Sequence, residues 1–287
     1  MKLFIEQILN GLAMGSIYAI ITLGLALVYG VMRILHVAHA SVYTVGAYAG
    51  VYLFNATGSL TLAFLGAMLL CAVLGVLIER LVYFPLLKCP PYVPLIASIA
   101  VMLTIEEVCR LLAGPQILTF AARLPFPDLD LGGVHLSSTQ VAVYVITAGI
   151  LVFLWYLTTR TEVGLAMRAT SQDMPIAGAQ GINSHYIVSL TFVISSAIAA
   201  IGGILVGIYY NQVYPTMGAV PAYKTLALIV VGGMGSVPGA VIAALFLGLA
   251  ETLLIGYLSV PFPRDALAFV AMILVLVWRS EGLLGSK

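Results

Sequence analysis

The stretch IVSLTFVISSAIAAIGGILVGIYY, residues Ile187–Tyr210, carries no charged residue from one end to the other. A helix of about 20 apolar residues is long enough to cross the hydrocarbon core of a bilayer. Similar runs recur along the chain, and they are continuously apolar instead of alternating as in the strands of a membrane β-barrel. The sequence therefore predicts an all-α, polytopic helical membrane bundle.

The composition supports a lipid environment for the whole chain. Hydrophobic residues make up 62% of the 287 positions and charged residues only 8%. Soluble domains carry about 25% charged residues, so this chain cannot cover a water-exposed surface of its size. The net charge of +1 gives no basic excess for a nucleic-acid partner. The predicted partner of the surface is the lipid bilayer.

The apolar runs divide the chain into about nine membrane segments within one transmembrane domain, residues 1–287. The segments near 37–55 and 219–235 are short or interrupted by glycine, which favours broken or re-entrant helices. Irregular backbone at membrane depth is tolerated only where protein or a water-filled cavity covers it, so these two segments are candidates for a solute pathway. The nine segments lie near 8–30, 37–55, 60–78, 93–113, 141–158, 187–210, 219–235, 238–258 and 264–279.

The distribution of basic residues predicts the orientation. Cytoplasmic loops of membrane proteins carry an excess of Lys and Arg. Placing the polar stretch Glu162–Ile182 in the cytoplasm puts seven of the twelve basic residues inside and the N-terminus outside. The inner set is Arg33, Arg80, Lys88, Arg160, Arg168, Arg279 and Lys287, and the outer set is Lys2, Arg110, Arg123, Lys224 and Arg264.

The polar stretch EVGLAMRATSQDMPIAGAQGI, Glu162–Ile182, lies between two strongly apolar runs. Thr161 can cap a helix at its start, and Glu162 suits the positive end of the helix dipole. Pro175 disfavours continuation of that helix, and Gly181 is a natural stop for a second one. The stretch is predicted to form two short helices at an angle, outside the membrane.

No enzymatic site is recognisable. The glycine-rich stretch VGGMGSVPG, Val231–Gly239, lacks the lysine and the preceding strand of a phosphate-binding loop. It is either a tight turn between two membrane segments or a backbone that must approach another helix or a solute closely. The cysteines Cys71, Cys89 and Cys109 form no metal-binding or redox pair. The sequence predicts no catalytic residue, no metal site and no cofactor.

Polar residues inside apolar runs are the candidates for a solute pathway. An ionisable group within a membrane segment is costly and commonly functional, and Glu251 is the clearest example. It either faces the interior of the bundle, paired or protonated, or reaches water near a helix end. Glu106 and Arg110 have the spacing of a structural helix pair. The predicted pathway residues are His36, His39, Ser41, Tyr43, Gly232, Gly233, Gly235 and Glu251.

Glycines four residues apart predict close helix packing, because small residues let helix backbones approach each other in lipid. The pairs are Gly11 and Gly15, Gly46 and Gly50, Gly203 and Gly207, and Gly235 and Gly239. The outer loop 114–140, rich in Pro, Gly and Asp, is interpreted either as a docking rim or as a connector.

The segment GLAMGSIYAIITLGLALVYGVMRILHVAHASVYTVGAY, residues 11–48, resembles the N-terminal signature of branched-chain (hydrophobic) amino acid ABC transporter permeases. Two later blocks, GLAMRATSQDMPIAGAQGINSHYIVSLTFVISSAIAAIGGIL and YKTLALIVVGGMGSVPGAVIAALFLGLAE, resemble the same family in the same order. The sequence departs from the family at His36, Val37 and Ala40, where asparagine, phenylalanine and glycine are usual. It also departs at Ser280, where the C-terminal tail of the family has proline.

The resemblance implies the fold of an ABC importer permease in a bacterial inner membrane. It implies two ABC ATPase subunits, a second permease subunit and an extracytoplasmic solute-binding protein as partners. It also implies a branched-chain amino acid as substrate, with urea, short amides or other amino acids as alternatives. A secondary transporter or channel, and a non-transporting scaffold, are the competing classes. The resemblance makes residues 159–186 an ATPase-coupling loop, with Glu162, Gly164, Arg168, Ala169, Asp173, Gly178 and Gly181 as its key positions.

Overall fold

A computed structural model describes residues 2–87, 89–122, 124, 127–131, 134–258, 264–279 and 282–284. Almost all of the described chain is helical, which confirms the all-α prediction. The long helices are α1 (Lys2–Met32), α2 (His39–Thr57), α3 (Leu60–Ile78), α5 (Tyr92–Ala113), α6 (Ser138–Arg160), α9 (Ser184–Tyr210), α10 (Ala219–Gly232), α11 (Val237–Leu258) and α12 (Arg264–Trp278).

Short elements join the long helices. A π-helical turn (Glu79–Tyr83) and α4 (Phe84–Leu86) extend α3, and a 3-10 turn (Pro215–Gly218) precedes α10. The polar stretch forms α7 (Glu162–Gln172) and α8 (Met174–Ala179), and strands β1 (Leu129–Leu131) and β2 (Val134–Leu136) pair antiparallel.

Five of the described helices are long and apolar enough to cross a membrane: α1, α3 extended to Leu86, α6, α9 and α11. The chain is therefore a multi-pass helical protein. Each of the other predicted segments also falls on a helix, but α10 has only 14 residues. At 1.5 Å per residue it is about 21 Å long, shorter than a hydrocarbon core of about 30 Å.

The predicted interruption of the segment near 37–55 is wrong. Helix α2 runs unbroken through Gly46 and Gly50 and ends at Gly58, which has the left-handed φ of +66°. The irregular backbone lies just before α2, at residues 33–38. There Arg33 ends α1 with a left-handed φ of +55°, and its N–H still donates to Tyr29.

Helices α1 and α9 form the centre of the bundle. In their most apolar stretches, 89% of the residues of α1 and 72% of those of α9 are buried, compared with 28% in α3 and α6. Helix α1 packs against α9 and α11, and α9 also packs against α2 and α3. The residues most protected from lipid are therefore those facing α1 and α9.

Glycines bring α1 and α11 into backbone contact. Gly15 and Gly248 pack so closely that a Cβ on Gly248 would collide with the backbone of Gly15. Gly11 lies against the backbone of Leu249 in the same crossing. The predicted close packing at the pair Gly11 and Gly15 is confirmed. The two backbones can approach because glycine has no side chain beyond a hydrogen atom.

A second glycine crossing joins α2 and α9. Gly46 faces the backbone of Ala200, and a Cβ on Gly203 would collide with the carbonyl oxygen of Tyr43. Gly50 continues the crossing one turn further, against the Ile204 side chain, whereas Gly207 lies against Phe120 and Val213 outside α2. These contacts confirm close helix packing at the pair Gly46 and Gly50 and at Gly203 of the next pair.

The two ends of α9 define the two ends of the bundle. Ser184 follows the polar helices α7 and α8, and Tyr210 precedes the segment 211–218. Leu118, in the described part of the loop 114–140, lies at the second end and exchanges backbone hydrogen bonds of 2.8 and 2.9 Å with Val213. In the β-hairpin, Asp130 accepts a hydrogen bond from His135, which raises the pKa of that exposed imidazole above its usual value.

We expect Gly248→Ala to destabilise the bundle, because the added methyl group would meet the backbone of Gly15, which cannot move aside alone. Overpacking of this kind costs about 1–3 kcal/mol. The thermal midpoint of the purified protein in detergent should fall. Gly149→Ala is the matched control, since a Cβ at this helical glycine would meet open space. Equal midpoints for the two variants would contradict the close α1–α11 contact.

Candidate functional site

A cavity of about 230 Å³ lies between α1, α2, α9 and α10, at the Tyr210 end of the bundle. Its walls are mostly apolar, but four tyrosines and a glutamine also face it. Of the predicted pathway residues, Tyr43 lies in its wall. The cavity is lined by Met14, Ile17, Tyr18, Ile21, Tyr43, Val206, Tyr210, Gln212, Tyr214, Met217, Val220 and Pro221.

Next to this cavity, Glu251 forms a buried ion pair with Lys224. The Lys224 Nζ lies 2.8 Å from Glu251 Oε1 and 3.0 Å from Oε2, and the two side chains are 2% and 4% exposed. The Tyr18 hydroxyl donates to Glu251 Oε2 at 2.8 Å and accepts from Lys224 Nζ at 2.9 Å. Helices α1, α10 and α11 thus each supply one member of a closed polar triad.

The sequence analysis counted Lys224 among the basic residues of the outer side, and the structure corrects this. Lys224 lies within α10 and is buried, with its ammonium group also 4.8 Å from the centre of the Tyr18 ring. Lys224 therefore does not count among the loop residues whose positive charge predicts the orientation in the membrane. Of the two alternatives weighed for Glu251, the structure supports the paired carboxylate facing the interior.

The histidines His36 and His39 are buried away from the cavity. His36 Nδ1 lies 2.6 Å from the hydroxyl of Tyr83, and Tyr83 donates in turn to Ser98 at 2.8 Å. The Ser98 hydroxyl also accepts the N–H of Ala38 at 2.9 Å, which fixes the irregular segment before α2. His36 therefore anchors residues 33–38 to the π-helical turn and to α5.

His39 and Ser41 make packing and hydrogen-bond contacts at the start of α2. The His39 ring packs against Gly24 of α1, and its Nδ1 is 3.3 Å from the hydroxyl of Ser195. Ser195 donates to the Gly24 carbonyl oxygen at 2.8 Å. The Ser41 hydroxyl donates to the carbonyl oxygen of Ala38 at 2.8 Å. The structure thus places these side chains in helix contacts, not in the wall of the cavity.

The glycine-rich stretch forms the turn between α10 and α11. Gly233 and Gly235 have left-handed φ values of +104° and +91°, which favour glycine at both positions. Gly232 is required for another reason, since its Cα packs on the backbone of Gly239 and Ala240. The stretch is therefore a tight turn, as in the first interpretation. Its backbone also approaches another helix closely, which is one part of the second interpretation.

The chain end covers this turn. The backbone N–H groups of Leu283 and Leu284 donate to the carbonyl oxygens of Val231 and Gly232, at 2.8 and 3.1 Å. The last carbonyls of a helix have no partner within the helix, so these bonds satisfy the end of α10. No pattern in the sequence predicts this contact.

The polar stretch forms the two predicted helices, with the predicted cap at Thr161 and an additional one at Asp173. Thr161 accepts from the N–H of Gly164 at the start of α7, and Asp173 accepts from the N–H of Ile176 at the start of α8. Gly181, with φ of +85°, ends α8 in a Schellman motif, in which the N–H of Ile182 donates to Ala177. These caps fix the angle between α7 and α8.

One face of this helix pair is attached to the bundle and the other is exposed. A Cβ on Gly164 would collide with the end of α6, and Arg168 donates to the carbonyl oxygen of Thr158 there. On the other face, Leu165 is 61% exposed and Ile176 is 62% exposed. The exposed set also includes Glu162, Asp173, Gly178 and Gly181, whereas Ala169 is half-buried.

Comparison with known proteins identifies the family. The family model described as "Branched-chain amino acid transport system / permease component" matches residues 7–277. The chain belongs to this permease family. It is 32% identical to the "High-affinity branched-chain amino acid transport system permease protein BraD" of Pseudomonas aeruginosa, over 98% of this chain and 96% of that protein. The same identity and coverage hold for the permease protein LivH of Escherichia coli K12.

A solved structure gives only a weak likeness. The chain titled "PsaBC from Streptococcus pneumoniae in complex with Fab" aligns with 92% of this permease and 87% of its own length, at a TM-score of 0.49 and 11% identity. The assignment to the permease family therefore depends on the sequence matches.

Sequence reasoning missed most partners of the candidate residues. Lys224 could have been found, because a lysine within the apolar segment 219–235 needs a partner, and Glu251 was the available acid. Tyr18, Tyr83 and Ser98 carry no such signal, since each is an ordinary residue in an apolar helix.

We expect Glu251→Gln to lower the stability of the permease, because it removes the negative charge that Glu251 places beside the buried ammonium group of Lys224. Breaking a buried pair from one side costs about 3–5 kcal/mol. The double variant Lys224→Met/Glu251→Leu should recover most of the loss, since no unpaired charge remains. Thermal unfolding of the purified variants measures both effects. The control is Glu107→Gln, which breaks an exposed pair with Arg110 and should cost about 0–1 kcal/mol.

Proposed function

We propose that this chain is the membrane-spanning permease subunit of an ATP-driven importer for branched-chain amino acids. The observation that carries the proposal is the family match over residues 7–277, together with a capped pair of short helices that projects beside the end of α6. The named relatives are permease proteins of high-affinity branched-chain amino acid transport systems. Transport, and not catalysis, is the proposed role.

The proposed arrangement is one transmembrane domain with about nine membrane segments. Helices α2, α5, α10 and α12 would lie in the membrane beside the five longer spans, with α10 as a short, covered segment. The helix pair α7–α8 would face the cytoplasm of a bacterial cell, and the loop 114–140 would face outward. Setting the buried Lys224 aside strengthens the inward excess of basic residues on which this orientation depends.

The helix pair α7–α8 is the proposed contact with an ABC ATPase. The chain has no phosphate-binding loop of its own, so the energy for transport would come from a partner. Leu165 and Ile176 expose apolar surface on a polar segment, and buried apolar anchors commonly supply the energy of a protein interface. The attached face, held through Gly164 and Arg168, would transmit motion from the ATPase to α6.

The complete importer would contain two ATPase subunits, a second permease subunit and an extracytoplasmic solute-binding protein. The second permease would be either another copy of this chain or a related chain. Leucine, isoleucine and valine are the proposed substrates because of the names of the relatives. Urea, short amides and other amino acids are the alternatives, since the binding protein would set much of the selectivity.

A secondary transporter or channel is the competing proposal, and the ion pair weakens it. Such proteins commonly use an intramembrane acid to couple ion flow. Glu251 was the candidate for that role, but both of its oxygens are engaged by Lys224 and Tyr18. A carboxylate held in this way is poorly placed to bind and release a transported ion.

Reconstitution separates the two classes. The permease is purified with its ATPase and second permease and placed in proteoliposomes, and uptake of labelled leucine is followed with the binding protein outside. The proposal expects uptake only with ATP on the ATPase side and with loaded binding protein. Uptake driven by a proton or sodium gradient, without ATPase, would overturn it.

We expect Ile176→Glu to release the ATPase or to uncouple hydrolysis from uptake. It places a charge on the exposed apolar surface of α8, and because Ile176 is 62% exposed the change removes little internal packing. Membrane insertion should be unchanged because the helix pair lies outside the lipid. Subunit stoichiometry after purification, and the ratio of uptake to hydrolysis, measure the effect.

The matched control is Cys89→Glu, which adds the same charge at an exposed position between α4 and α5. Arg168→Glu is a less clean test, because it also removes the contact with the Thr158 carbonyl. Normal assembly and coupled uptake in Ile176→Glu, Leu165→Glu and Asp173→Lys would show that the helix pair is only a connector.

A further inference from the structure

We propose that the cavity between α1, α2, α9 and α10 binds the aliphatic side chain of the transported amino acid, and that Lys224 and Glu251 are positioning residues that hold Tyr18 as its wall. The inference deepens the proposed function and rests on it. The site lies within a single permease chain.

The position of the cavity favours a solute over a lipid chain. Half of its lining residues come from α1 and α9, the most buried of the long apolar helices. Its rim contains Gln212, an exposed residue, and Tyr210 and Val220, which are 43% and 37% exposed. The cavity therefore opens at the end of the bundle where Leu118 bonds to Val213, and its deeper wall is formed by the buried residues Ile17, Tyr18 and Tyr43.

The lining matches a small amphipathic molecule. Ile17, Val206 and Met217 provide an apolar wall for a branched hydrocarbon chain, and Gln212 provides an amide for polar groups near the rim. The volume of about 230 Å³ is below the range of roughly 300–1,000 Å³ of pockets for drug-sized ligands. A solute as small as an aliphatic amino acid is therefore the expected occupant.

The ion pair fixes the geometry of one wall. The Tyr18 hydroxyl is held by two charged partners, at 2.8 Å from Glu251 and 2.9 Å from Lys224, while the residue itself lines the cavity. Hydrogen bonds to charged groups are about twice as strong as neutral ones. Rotation of the phenol would break both bonds, so the pair keeps the cavity at one size.

The outer loop is attached to another wall. Val213 exchanges two backbone hydrogen bonds with Leu118, and its sequence neighbours Gln212 and Tyr214 both line the cavity. Phe120, buried at 2% exposure, packs against Gly207 beside this bridge. A protein that docks on the loop 114–140 could therefore displace the cavity wall directly, at the place where solute would be delivered.

The test changes the volume of the cavity and measures the preference between leucine and valine. Val206→Trp fills space, so it should raise the KM for leucine roughly tenfold more than the KM for valine, the scale of discrimination by one methylene in a pocket. Val145→Trp is the matched control, because Val145 is 54% exposed on α6 and does not line the cavity.

Three further variants test the size of the cavity and the role of the positioning residues. Met217→Ala should increase uptake of phenylalanine relative to leucine, because it adds space. Tyr18→Phe keeps the ring and removes the hydroxyl, so it should change the ratio of the KM values for leucine and valine in fully assembled complex. The double variant Lys224→Met/Glu251→Leu should change that ratio in the same direction. A purely structural ion pair would lower stability without altering the ratio.

The outcomes separate the two proposals. Unchanged preference in Met217→Ala and in assembled Val206→Trp would overturn the cavity as a solute site and leave ATP-driven leucine uptake intact. If Val206→Trp fails to assemble, Met217→Ala decides alone. Absence of ATP-driven branched-chain uptake in the unmodified complex would instead overturn the proposed function.

Discussion

The close approach of α1 to its neighbours is the constraint on which the rest of the structure depends. Gly15 and Gly248 bring α1 and α11 into backbone contact, and the His39 ring of α2 packs against Gly24. The cavity and the ion pair are both attached to this helix. Its middle part lines the cavity and supplies Tyr18 to the ion pair, and its last turn lies beside α7 and the turn after α10. A shift of α1 would therefore reach both ends of the bundle.

The buried ion pair also holds helices together. Helices in lipid gain little from hydrophobic contact with each other, so packing and polar contacts decide their association. The Lys224–Glu251 pair joins α10 to α11, and Tyr18 extends the link to α1. Helix α10, which has only 14 residues, is held near its middle by this pair and at its C-terminal end by the backbone of Leu283 and Leu284, which bonds to Val231 and Gly232.

The sequence predicted those features whose interacting residues lie close together in the chain. The caps at Thr161 and Asp173, and the stop at Gly181, each involve residues within five positions, so the sequence predicted both short helices. The glycine pairs on α1, α2 and α9 predicted close packing for the same reason, since spacing of four places both glycines on one helix face. Helix α2 was predicted wrongly, because glycine weakens a helix in water but does not break one that is packed on α9.

The sequence by itself determined the helical membrane fold, because runs of about twenty apolar residues satisfy their backbone only as helices in lipid. It also determined the permease family, through matching blocks along the whole chain. The tertiary structure alone decided that Lys224 is buried, that His36 bonds to Tyr83, and which residues enclose the cavity. These pairs are 27 residues apart or more, and no local rule fixes which faces of two distant helices meet. That choice is made by glycine contacts and charge pairing, which exist only after the helices have packed.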